Sequence, residues 1–260
     1  MTPSKALQIL RGGGFIKTAA ITRVPDPWLA EVLGRTGFDV IWYDFEHRPF
    51  GNHTVDAMSL ASRYSGIDLM VRIRKTGYNE PMQILENGAN GLMVPHVSSA
   101  AEARQWVQWS RFPPLGRRGL DGSGADADWG TADMREYLKH RNQETFLVLQ
   151  IEDQQALDEI DAIAAVEGYD ILFVGPADLS VRLGVPLQFE HPLMEAAHDK
   201  VANAAAKHGK WWGTITGTPE VAQKMIDRGA RMVTCGADQW WLMNGAKKAY
   251  SDYSNLTVRS

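Results

Sequence analysis

The sequence predicts an α/β fold, a closed (β/α)8 TIM barrel, on three observations. Eight short β-prone runs recur along 260 residues, segments with helical spacing lie between them, and the runs are apolar on both faces. Strands of that kind belong to an all-parallel sheet covered by helices. Eight such units in about 250 residues match the barrel in size. An open doubly wound sheet is the rival arrangement, but the glycine cluster RGGGF (11–15) precedes the first strand, where a phosphate-binding fingerprint would follow it.

Residues 1–14 read as an N-terminal extension or helix ahead of the first strand, FIKTAAI (15–21). The segment PDPWLAEVLGRTG, with Pro27 near its start and Gly37 past its end, leads to DVIWYDF (39–45). TVDAMSLASRYSG closes on Gly66 before DLMVRI (68–73), and EPMQILENGA carries Gly88 past its helical part before GLMVP (91–95). After SSAAEARQWVQWS comes an irregular stretch (111–137) rich in Gly, Pro and Asp; loops this long usually serve as lids or binding loops. TFLVLQI (145–151), DILFVG (170–175) and WWGTITG (211–217) follow. TPEVAQKMIDRGA, with Thr218 as N-cap and Gly229 beyond its end, leads to RMVTCG (231–236). Residues 1–260 are expected to form a single barrel domain, with 251–260 a loose tail.

A hydrophobic content of 44% supports one large core. A net charge of −4, a pI near 6.0 and the lack of a long Lys/Arg run argue against a polyanion-binding face, so no nucleic-acid partner is expected. No apolar run approaches the roughly 20 residues of a membrane span, and MTPSKALQILRGGG lacks the apolar centre of a secretory leader. A soluble, cytoplasmic protein without a membrane partner is the expectation. Cys235, the single cysteine, excludes an intrachain disulfide and a multi-Cys zinc site, and reads as a buried inert thiol.

Barrel enzymes carry their chemistry at the C-terminal ends of the strands. Here those ends hold Asp44, Glu46 and His47, then Arg72, His96, Gln150 with Glu152, Asp178 and Asp238. Singly, each reads as a solvated or structural group; together they converge on one rim. Glu152 and Asp178 fall on adjacent strands about 4.8 Å apart, close enough for both to reach one ion. Two carboxylates with no Cys and no HxxxH suit a hard cation, Mg2+ or Mn2+. Alternatively Asp178 is the N-cap of the next helix, which leaves two unpaired acids to repel each other. Arg72 can fork onto a carboxylate or an oxyanion. His47 is the proton-transfer candidate, oriented by Asp44 or Glu46, and His96 ranks below it because no acid adjoins it in the chain. Lys17, expected near the end of the first strand, would be the Schiff-base residue, with nothing in the sequence to single it out as activated. The pairs Trp211–Trp212 and Trp240–Trp241 read as core or subunit contacts, with Trp240 or Trp241 at the pocket mouth.

YDFEHRPF (43–50), VRI (71–73), ANGLMVPHV (89–97), RFPPLGRRG (111–119), QIED (150–153) and FVGPADLS (173–180) together resemble the metal-dependent pyruvate aldolases of the HpcH/HpaI type over residues 15 to 245. That family includes 4-hydroxy-2-oxoheptanedioate aldolases, 2-keto-3-deoxy-sugar-acid aldolases and macrophomate synthase relatives. The resemblance implies a (β/α)8 barrel assembled as a hexamer, a trimer of dimers with the C-terminal helix swapped between subunits. It implies Glu152 and Asp178 as ligands of a divalent cation, Mg2+, Mn2+ or Co2+. It assigns Arg72 to enolate stabilisation and substrate binding, His47 to acid/base chemistry, for which Asp44 or Glu46 is the orienting acid read from the residues, Gln150 to the substrate side, and the backbone of Gly175, Pro176 and Ala177 to the 2-oxo acid carboxylate. Glu86 stands where the family carries an Asp that supports a neighbouring subunit's histidine. Phe45 and Trp241 replace smaller residues near the aldehyde pocket, and Arg117 and Arg118 add positive charge to a loop that would meet an acidic substrate. The implied reaction is reversible cleavage of 4-hydroxy-2-oxo acids to pyruvate or hydroxypyruvate and an aldehyde, with oxaloacetate decarboxylation alongside. An acyl-CoA lyase of the citrate lyase β or malyl-CoA type, or a non-catalytic metal-binding barrel, are the alternatives.

Overall fold

Eight parallel strands close on themselves in chain order in the computed structural model, which describes residues 1–254 and 256. They are β1 (Ile16–Ile21), β2 (Val40–Asp44), β3 (Asp68–Arg72), β4 (Gly91–Val94), β5 (Phe146–Ile151), β6 (Ile171–Val174), β7 (Trp211–Ile215) and β8 (Met232–Ala237), each inside the run expected of it except at the final residue of β8. The helices are α1 (Lys5–Arg11), α2 (Pro27–Arg35), α3 (Asn52–Ser65), α4 (Asn79–Glu86), α5 (Ala100–Ser110), α6 (Met134–Glu144), α7 (Gln154–Asp158), α8 (Ile160–Ala164), α9 (Pro176–Arg182), α10 (Pro192–Lys207), α11 (Pro219–Asp227) and α12 (Asp238–Tyr253). Gly37, Gly66, Gly88 and Gly229 adopt the left-handed conformations that end helices, and the Thr218 hydroxyl accepts the Val221 N–H as an N-cap.

Alternation along the strands sorts the core into two shells. Val40, Trp42, Met70, Met93, Phe146, Val148, Phe173 and Met232 fill the lumen, while Ile41, Tyr43, Leu69, Val71, Leu92, Leu149 and Leu172 pack outward under the helices. Large and small residues interlock: a Cβ on Gly91 would lie 2.3 Å from the Phe146 ring. The N-terminal segment expected as an extension or helix is α1, and its Ala6, Leu7 and Leu10 belong to the lumen cluster as a plug. Asp68, at the start of β3, fastens the plug by accepting the Ser4 hydroxyl at 2.6 Å and the Ala6 N–H at 2.9 Å.

Several expectations change. The 111–137 stretch is fastened to the helical shell as a 3-10 segment, Ala125–Gly130, and the start of α6. Arg118 does not wait there for substrate: it is buried, 2.7 Å from Asp126 and 4.7 Å from the centre of the Phe112 ring, and the Tyr137 hydroxyl donates to the same carboxylate at 2.8 Å. The C-terminal helix continues to Tyr253, so 251–253 are helical where a loose tail was expected; Asn255 and 257–260 lie outside the described residues. Asp238 is the only buried residue of α12, while Trp240, Leu242, Met243, Tyr250 and Tyr253 are exposed. Cys235 is exposed rather than buried. Among the described residues no helix is long and apolar enough to cross a membrane.

Removing one partner of a buried ion pair leaves an uncompensated charge, which costs about 3–5 kcal/mol. Arg118→Met is therefore expected to lower the urea-unfolding free energy by about that amount, and a loss within experimental error would show that the pair is not a brace.

Candidate active site

Consecutive strands β2 to β6 bring their polar ends to one side of the barrel mouth. Asp44 and Arg72 are register partners at the last rung of β2 and β3. Arg72 donates to Asp44 from Nε at 2.9 Å and from Nη2 at 2.8 Å, and its Nη1 lies 3.0 Å from Glu46 Oε2. The guanidinium stacks 4.9 Å from the Trp42 ring centre and is 8% exposed. Burial works against its charge, but the hydrogen bonds to Asp44 and the charges of Asp44, Glu46 and Glu152 outweigh it and hold the group firmly protonated.

His96 follows β4 with φ of 49°, a left-handed backbone that is uncommon outside glycine. Its N–H donates to Glu152 Oε2 at 2.9 Å. The imidazole lies close to both neighbours, Nε2 at 3.1 Å from Glu46 Oε1 and Nδ1 at 3.1 Å from Glu152 Oε2, as charge contacts. A chain of contacts thus runs from Asp44 through Arg72, Glu46 and His96 to Glu152.

Glu152 is 2% exposed. Burial, with the nearby charges of Glu46 and Asp178, pushes its carboxyl up to about 7 against the opposing His96 N–H and Arg72. A carboxyl so poised in a charged cluster marks a functional site. Gly175 makes room for it: a Cβ there would fall 2.0 Å from Glu152 Oε1. Gln150, also turned to the lumen, is buried with its Oε1 unpartnered among the described residues. Asp178 is the third residue of α9 and partly exposed; Gly175 holds the cap position, so the N-cap reading of Asp178 fails. Pro176 is buried and Ala177 exposed in the same turn.

Among the described residues no three or more His, Cys, Asp or Glu converge as a metal cage; Glu152 and Asp178 are the two acids that would hold a cation here. The donor set fits a hard divalent ion that keeps several waters. A dication would also offset what raises Glu152, its burial first and then the neighbouring acids Glu46 and Asp178.

The other candidates are placed as follows. His47 is half-exposed, 3.6 Å from Glu46 Oε2, while Asp44 is committed to Arg72 and to the Glu46 N–H. Glu86 ends α4 beside Arg118, Asp126 and Asp121, where burial raises its pKa and Arg118 opposes; the chain does not bring it to the cluster. Trp241 packs 5.7 Å from Phe38 in the layer outside the barrel, and Phe45 is fully buried against Tyr43 and Phe50, so neither closes the mouth. Asp238 accepts the N–H groups of Thr22, Arg23 and Val24 and organises that loop. Lys17 is the second residue of β1, exposed on its outer side, which removes the Schiff-base candidate. A cavity of about 660 Å³ lies beside the mouth, lined by Pro176, Leu187, Phe189, His198, Ile215 and Met225 among others. It is mostly apolar and contains none of the charged strand ends of β2 to β5, so the chemistry lies outside it.

The sequence places Glu46 and His96 at the strand ends, but it does not show Glu46 as the hub between Arg72 and His96. The Asp44/Glu46 spacing of two, which turns both acids to the lumen side, was the available signal.

Two outcomes follow. Gly175→Ala is expected to displace the Glu152 carboxylate and cut activity while the fold persists, checked by turnover alongside circular dichroism. The native Glu152 carboxyl, near 7, binds its proton more tightly than at its ordinary 4.5. Its contribution in metal-free protein is complete at acid pH and is lost as pH rises through about 7. Urea midpoints in chelator should fall over that window, and Glu152→Gln should flatten the fall; an identical slope in the variant would refute the assignment.

The family model described as HpcH/HpaI aldolase/citrate lyase matches residues 23–245. A 5-keto-4-deoxy-D-glucarate aldolase of Shigella boydii serotype 18 is 35% identical over 216 residues, 82% of each chain. The crystal structure of an HpcH/HpaI aldolase from Desulfitobacterium hafniense DCB-2 superposes with a TM-score of 0.92 at 30% identity, covering 96% of this chain and 97% of that one. A Burkholderia cenocepacia J2315 protein of the same family gives 0.89 at 29% identity, covering 98% and 100%. With its barrel, its acid-rich mouth and these relatives, the chain belongs to the HpcH/HpaI aldolase/citrate lyase family and is an aldolase, a carbon–carbon lyase.

Proposed function

We propose that this aldolase depends on a divalent metal and cleaves 4-hydroxy-2-oxo acids, keto-deoxy sugar acids among them, to pyruvate or hydroxypyruvate and an aldehyde. The observation that carries the reading is the sequence of contacts Asp44–Arg72–Glu46–His96–Glu152 at the strand ends, buried at Asp44, Arg72 and Glu152, with Gln150 beside it. The relatives named as 5-keto-4-deoxy-D-glucarate aldolases support the substrate class, since that acid counted from its keto end is a 4-hydroxy-2-oxo acid.

Mg2+ or Mn2+ on Glu152 and Asp178 would supply Lewis acidity toward the carboxylate and keto oxygens of the substrate. Arg72, held by Asp44 on one side and Glu46 on the other, keeps N–H groups beside the keto oxygen, where negative charge develops as the C3–C4 bond breaks. Because the guanidinium is already fixed, little reorganisation is needed at that moment. Gln150 orients the 2-oxo acid from the lumen, and the Ala177 N–H, in the first turn of α9, offers a donor to its carboxylate. His47 takes the proton of the 4-hydroxyl as the aldehyde leaves, oriented by Glu46. The same charge develops when oxaloacetate loses CO2, so decarboxylation should accompany cleavage. Glu86 lies apart from this cluster within one chain, so its part with the histidine belongs to contact between subunits. The exposed apolar side chains of α12 support a hexamer with that helix swapped. A cytoplasmic enzyme fits this chemistry.

Pyruvate release from a panel of 4-hydroxy-2-oxo acids is the test. Glu152→Gln, Asp178→Asn or chelation is expected to lower turnover on the order of 100-fold or more, and Arg72→Lys, which loses the fork, by a similar factor. Full activity in chelator, or cleavage of acyl-CoA esters in place of the panel, would overturn the reading.

A further inference from the structure

We infer that Lys75, which no strand-end argument selects, is a positioning residue that sets how firmly Glu152 holds a cation; this rests on the metal-dependent reading above. Lys75 lies in the loop between β3 and α4. Its Nζ donates to the His96 carbonyl at 2.8 Å and forms an ion pair with Glu102 in the first turn of α5. Glu102 in turn accepts the Ser98 N–H at 3.2 Å, and Ser99 caps the helix by accepting the Glu102 N–H. One ammonium therefore joins the loop after β3 to the loop after β4.

The segment it grips is stitched to the end of β5. The His96 N–H donates to Glu152 Oε2 at 2.9 Å, the Val97 N–H to the Gln150 carbonyl at 3.0 Å, and the Ser98 hydroxyl to Asp153 Oδ2 at 2.6 Å. The peptide between His96 and Val97 is thus held from both sides, its carbonyl by Lys75 and its N–H by Gln150. That peptide plane cannot rotate, and His96 stays at φ of 49°. A non-glycine residue in the left-handed region is strained and persists only where its surroundings over-determine it. Here the strained conformation is what aims the His96 N–H at Glu152. Without Lys75 that peptide keeps only its Val97 N–H bond to Gln150, the backbone can relax toward negative φ, and the His96 N–H drifts from the carboxylate that has to be correctly aimed to take a metal.

Mn2+ binding to the full chain, measured by isothermal titration beside thermal unfolding, tests this. Lys75→Met is expected to raise the Mn2+ dissociation constant about 10-fold or more with unfolding temperature nearly unchanged, since the side chain is partly exposed. Lys75→Arg, which retains a donor for the His96 carbonyl, should restore most of the affinity. If Lys75→Met binds Mn2+ as tightly as the parent protein, the positioning role is refuted and the metal reading survives. If the parent protein does not bind Mn2+, both are refuted. Should Lys75→Met fail to fold, Glu102→Gln, which releases the ammonium from its carboxylate, takes its place under the same criteria.

Discussion

One guanidinium shared among buried carboxylates governs the mouth of this barrel. Arg72 satisfies Asp44 by a two-pronged hydrogen bond and reaches Glu46 with its remaining terminal nitrogen. Glu152 then gets only a longer-range share of that charge, together with one backbone N–H from His96. Unit charges about 4 Å apart interact by roughly 4 kcal/mol at an effective dielectric of 20, so one cation cannot neutralise three nearby acids and Asp178 as well. The deficit falls on the most buried acid not hydrogen-bonded to Arg72. Glu152 therefore has a raised affinity for a proton, and in the proposed chemistry for a metal, first because it is buried and then because the single arginine is committed to its neighbours.

The fold keeps that deficit from relaxing away. Asp44 and Arg72 face each other by strand register, and Trp42 beneath Arg72 is wedged edge-on against Phe173 in a lumen closed from below by α1. Close packing of this kind resists small displacements, so the acids cannot move apart to lower their repulsion. Gly175 works in the same direction, because it lets the end of β6 approach closely enough for Glu152 to stand in the space a side chain would fill.

The short runs, apolar on both faces, and the punctuation between them made the barrel legible, and the strand-end rule then selected Arg72, Gln150, Glu152 and Asp178 as candidates. What it could not show was pairing between strands. His96 has no acid next to it in the chain, yet both of its ring nitrogens lie 3.1 Å from a carboxylate oxygen supplied by β2 or β5. Arg118 reads as free positive charge until the irregular loop folds Asp126 and Tyr137 against it. Phe45 was misplaced for a simpler reason: it shares the outward parity of Tyr43, and alternation alone directs it away from the lumen. Cys235 has that outward parity too, but α12 leaves it uncovered, and no local pattern in the sequence encodes how closely a following helix packs.

The two carboxylates of the proposed metal site are built differently, and the difference suggests a division of labour. Glu152 is buried and held by a strained backbone N–H that Lys75 and Gln150 keep in place. Asp178 stands on the first turn of a seven-residue helix, partly exposed, beside an exposed Ala177. A rigid buried ligand defines where an ion must sit, whereas a ligand at the rim can adjust as a chelating substrate replaces water. In the proposed chemistry, substrates that differ beyond their 2-oxo acid end could then share one fixed reaction centre. On this view their discrimination belongs to the rim, and rigidity belongs to the bracing behind Glu152.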